Sequence, residues 1–94
     1  MSENISITKE EFVAIKERCD QLVALDEQRP GWVVRHCEDN LKPTIAYFKE
    51  VFGEDDEKVS RCISVLESFG ANCECKIISN VVPKLPDIKK LTKN

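Results

Sequence analysis

The sequence predicts an α+β domain that is mainly helical, with three helices and a small two-stranded antiparallel sheet. Three observations carry this. Apolar residues recur at helical spacing in three stretches, each bounded by capping or breaking residues. Two short β-branched runs, around Val33 and around Ile77, fall outside those stretches and read as strands. The chain has 94 residues, enough for a single domain (1–94) with a thin core, since compact units typically hold roughly 50 to 200.

In chain order, Met1 to Ile7 is polar and expected to be weakly ordered. Thr8 followed by Glu11 fits a capping box, in which hydroxyl and carboxylate each satisfy a free backbone N–H. From Lys9, Phe12, Ile15, Cys19, Leu22 and Val23 recur on one helical face as far as Glu27. Pro30 and Gly31 end that helix. Trp32 to Cys37 reads first as a strand, and second as continued helix or an irregular packed segment. Trp32, the only tryptophan, is expected to anchor the core. Glu38, Asp39 and Asn40 offer N-cap chemistry for a second helix, with Leu41, Ile45, Phe48 and Phe52 inward. Pro43 suits its first turn and Gly53 its end.

The acidic run Glu54 to Glu57 complements the dipole at the start of a third helix. It lacks the glycine and alternating oxygen ligands of a calcium loop, so no cation site is expected there. Val59, Cys62, Ile63 and Leu66 face inward, and Gly70 closes the helix. Cys73 to Val82 reads as the second strand. Pro83 and Pro86 break it, and Lys84 to Asn94 is expected to be a basic, weakly ordered tail with a helical turn at Asp87.

Lys and Arg number 14 against 17 Asp and Glu, a net charge of −3. This balance, with few aromatics beside basic residues, argues against a nucleic-acid partner. Met1-Ser2-Glu3-Asn4 carries no basic n-region or apolar h-region, so no signal peptide is expected. No apolar run approaches the roughly 20 residues that span a bilayer, so no membrane role is expected, and the expected compartment is the cytoplasm.

There thiols stay reduced, and the five cysteines of this short chain point to metal or redox chemistry rather than disulfides. Cys19 and Cys62 fall on apolar helix faces and read as small buried hydrophobes. Cys37 ends the first predicted strand and Cys73 begins the second. Antiparallel pairing would bring Cys37 beside Cys73 and Cys75, whose side chains share a face in a strand. Three thiols in one corner suit zinc, with His36 or Asp39 as candidate fourth ligand. Unliganded inert thiols and thiol redox chemistry are the alternatives. A His36–Cys37 nucleophilic dyad is not expected, because sequence neighbours point apart and no orienting third residue is evident.

Gly70-Ala71-Asn72-Cys73-Glu74-Cys75-Lys76-Ile77-Ile78-Ser79-Asn80-Val81 resembles the closing signature Gly-Gly-Tyr-Cys-Asp-Cys-Glu-Val-x-x-Asn-Val of a small bacterial family of unknown function. Cys37-Glu38-Asp39-Asn40-Leu41-Lys42-Pro43-Thr44 resembles its upstream Cys-Asp-His-Thr-Leu-Arg-x-Thr segment, matching at Cys37, Leu41 and Thr44. The resemblance implies that Cys37, Cys73 and Cys75 lie together as three of four zinc ligands. Asp39 stands where the family pattern has its histidine, so an oxygen ligand, His36, or loss of the metal follows there. The resemblance supplies no activity.

No acid, base and nucleophile set converges in the sequence. The expectation is a non-catalytic cytoplasmic binding or adaptor module, with a protein partner and a structural zinc at the cysteine cluster. The alternative is a thiol-based redox protein or sensor using Cys37, Cys73 and Cys75.

Overall fold

Thr8 starts the first helix through both halves of the expected capping box. Its Oγ1 accepts the Glu11 N–H at 3.1 Å, and Glu11 Oε1 accepts the Thr8 N–H at 2.9 Å. The computed structural model describes residues 6–53 and 55–92. Helix α1 (Lys9–Gln28) is followed by α2 (Trp32–Arg35), α3 (Lys42–Phe52), α4 (Asp56–Ser68) and α5 (Glu74–Lys76). A π-helical turn (Ile77–Val81), a 3-10 turn (Val82–Lys84) and α6 (Leu85–Lys89) complete the order.

The fold is therefore helical, and the expected α+β class is corrected. Helices α1, α3 and α4 fall where three were expected, but further helical segments take the place of the sheet. No strand occurs among the described residues, only an isolated parallel bridge between Ile7 and Thr92.

Both strand readings fail for a physical reason. Gly31 adopts the left-handed conformation (φ 83°), turning the chain out of α1 and directly into another helical turn. Arg35 N–H then donates to Gly31 O and His36 N–H to Trp32 O. The β preference of Val33 and Val34 is weak beside the burial of Val33 in the core. Trp32 is half-buried rather than a central anchor, and its ring stacks on His36 at 4.2 Å, one turn along. In the second run the buried residues are Cys73, Ile77 and Val81. Their spacing of four puts them on one helical face, whereas a strand would alternate.

The segment expected as a loose tail instead packs. Ile88 is fully buried, and Leu91 O accepts the Ile7 N–H at 3.1 Å. Ile7 is itself buried, so the weak order expected through Ile7 does not extend to that residue. Residues 1–5, Glu54 and residues 93–94, which also carried expectations, lie outside the described residues.

The core is one cluster built on Phe48, Ile15, Leu22, Leu66, Ile77, Val81 and Ile88. Helix α3 packs against α4 and both against α1, while α2 lies against α1 and α5. Gly70 (φ 91°) ends α4 with a Schellman arrangement: Ala71 N–H reaches Leu66 O at 2.9 Å and Gly70 N–H reaches Glu67 O at 3.0 Å. The chain then turns back toward α2.

Candidate metal centre

Cys37 leaves the end of α2, and Asp39 reverses the chain toward α3 in a left-handed conformation (φ 58°). That turn directs the Asp39 N–H at the Cys37 sulfur. Across the contact between α2 and α5, Cys73 is extended (φ −156°, ψ 169°) and Glu74 begins the helix. The change of backbone between them leaves Cys73 Sγ and Cys75 Sγ 3.2 Å apart. All three sulfurs, Cys37, Cys73 and Cys75, lie within 4.8 Å of one another. A tetrahedral zinc with Zn–S bonds of about 2.3 Å needs sulfurs roughly 3.8 Å apart, so small side-chain rotations suffice to close on an ion. Three sulfurs from two distant segments thus form a group close enough to bind a metal.

The expected convergence occurs, but by another route. Helix α2 packing on α5 delivers Cys37, not pairing of strands. His36 and Asp39, the candidate fourth ligands, contribute no ligand atom to the group. His36 is turned back on its own helix, with Nδ1 2.9 Å from Trp32 O and the ring stacked on Trp32. Asp39 meets the cluster through its backbone N–H rather than its carboxylate.

The three thiols are unequal. Burial pushes Cys37 up, but N–H donors from Cys75 and Asp39, with the Cys73 and Cys75 thiols, outweigh it and hold Cys37 below the ordinary thiol value. Cys75 is pushed up to about 12 by its hydrogen bond to Cys73, by burial, and by the contact with Cys37. Cys19 and Cys62 lie in the core, and burial raises each to about 12. They are the inert hydrophobes the sequence pattern indicates.

A second set of residues, to which the sequence assigned no role, braces the cluster. Glu74, between the two cysteines, accepts hydrogen bonds at Oε2 from Arg18 Nη2 and Thr44 Oγ1, both at 2.6 Å. Arg18 Nε also donates to Thr44 Oγ1 at 3.1 Å. Thr44 is fully buried, and the Arg18 and Glu74 side chains are 14% exposed. The network ties the Cys-x-Cys segment to α1 and α3 at once. A signal for it existed: Thr44 lies among Leu41, Ile45 and Phe48 on the apolar face of α3, and a buried hydroxyl requires a partner. Glu11 is a comparable anchor, fully buried and gripped by Arg61 through Nε and Nη2 at 3.0 and 2.7 Å. No buried side-chain nitrogen or oxygen lacks a partner among the described residues.

A groove of about 400 Å³ beside α1, walled by Val13, Ala14 and Val51, takes in none of the cysteines. No described helix is long and apolar enough to cross a membrane. Comparison with protein families, with curated proteins and with solved structures finds no match.

Proposed function

We propose that the chain is a non-catalytic, cytoplasmic binding or adaptor module whose α2–α3 junction and Cys-x-Cys segment are pinned together by zinc. The observation that carries this is the meeting of Cys37, Cys73 and Cys75 within 4.8 Å, across the whole α3–α4 hairpin. Reduced thiols so gathered suit a thiophilic ion, and the ion would staple segments that the chain brings together only on folding. Membership of the small bacterial family with the Cys-x-Cys signature and engagement of a protein partner are parts of the same proposal.

Native mass spectrometry with and without chelator tests it. The expected result is one zinc per chain, removed by chelator and absent in Cys73→Ser. Protein that takes up no zinc at micromolar concentration overturns the reading.

The Cys73–Cys75 approach of 3.2 Å favours one second reading, a thiol redox couple. There the two thiols pass two electrons and two protons to hydrogen peroxide, leaving a disulfide and two waters. Rapid iodoacetamide labelling of one of the three thiols in metal-free protein, and loss of labelling at Cys73 and Cys75 after peroxide, would favour that reading. Slow labelling of all three thiols removes it.

A further inference from the structure

We infer that the ion held by Cys37, Cys73 and Cys75 keeps one coordination position open to a neutral donor from outside the described chain, of the class represented by water and imidazole. This rests on the metal reading above and concerns what completes the shell. Closed structural zinc sites use four protein ligands, while sites with three protein ligands keep the fourth position for an exchangeable molecule.

Among the described residues the compact group of ligand atoms stops at three sulfurs. The nearest candidates in sequence are otherwise engaged. His36 stacks on Trp32 at 4.2 Å with Nδ1 against Trp32 O, and Asp39 faces the cluster with its N–H. The site also has an accessible side. Cys73 is buried, and Cys37 and Cys75 are half-buried, so the sulfur group is not sealed from solvent.

Charge selects the class of donor. Three thiolates around a divalent ion already leave a net charge of −1. A fourth anion would raise that net charge further, and a neutral donor adds none.

The test uses the full chain loaded with cobalt(II) and titrated with imidazole. The expected result is a shift of the cobalt d–d bands that saturates at one imidazole per cobalt. His36→Ala and Asp39→Asn should leave both the starting spectrum and the shift unaltered. Cobalt bound with no response to imidazole overturns the open position while leaving the metal reading intact. A starting spectrum changed by either variant likewise shows that the chain closes the shell. Failure to bind cobalt at all overturns both.

Discussion

Cys37 and Cys75 share the same surroundings yet shift in opposite directions, because backbone N–H groups point at one sulfur and thiols crowd the other. Metal binding displaces protons from both, so zinc affinity should fall as pH is lowered, with proton release on binding measurable by calorimetry in buffers of different ionisation enthalpy. Serine at 37, 73 or 75 should abolish stoichiometric zinc, whereas Cys19→Ala should retain it. Cys62 carries a separate consequence. Its thiol is raised from 9.0 to about 12 by burial, so the folded state favours the neutral form. The stability this contributes is complete below 9.0 and is lost as pH rises from 9.0 toward 12. Urea midpoints should fall through that window, and less steeply in Cys62→Ala. Glu74→Gln weakens a charged hydrogen-bond network and leaves Arg18 without its anion; the expected cost is about 2 kcal/mol in urea unfolding, with weaker zinc binding as the Cys-x-Cys segment loosens.

The elements that matter most to the site are the short ones. Helix α2 is a single turn and α5 shorter still, so neither would persist in isolation, where helices under roughly 12 residues are marginal. Packing holds them. The Gly70 turn aims the chain from α4 toward α5, and Gly70→Ala meets both a positive φ and Asn80 Nδ2 at 3.2 Å from the new Cβ. The expected loss is about 1–2 kcal/mol in thermal or urea unfolding. Helix α6 tests whether the C-terminal segment belongs to the core. Ile88→Ala removes a fully buried side chain and should cost about 3 kcal/mol, far more than an exposed tail residue such as Lys89→Ala.

Across the whole molecule, the cysteine corner joins the two ends of the α3–α4 hairpin to the Glu74 network and thereby to α1. An ion held there would bind the folded chain in preference to the unfolded one. Free zinc at 100 times its dissociation constant should add about 2.7 kcal/mol and raise the melting temperature, an increment absent in Cys73→Ser and reversed by chelator. The first and last described segments are coupled too, since Ile7 and Leu91 share a hydrogen bond and Ile7 and Ile88 share the core.

Long amphipathic stretches were legible in the sequence. The Thr8–Glu11 box, the apolar faces of α1, α3 and α4, and the stops at Gly31, Gly53 and Gly70 depend on contacts a few residues apart, and such contacts are written into local order. The separation of Cys19 and Cys62 from Cys37, Cys73 and Cys75 followed from the same periodicity. Short runs were not decidable in this way. Trp32 to Cys37 and Cys73 to Val82 carry β-branched residues whose preference is worth less than the burial of Val33, Ile77 and Val81 against α1 and its neighbours, so tertiary packing made them helical. That His36 and Asp39 stand outside the sulfur group is a matter of orientation, which rests on the Trp32 stack and the Asp39 turn. Which sulfurs meet, and which way neighbouring side chains face, is settled by long-range packing, because groups distant in the chain share no local interaction that could set their approach.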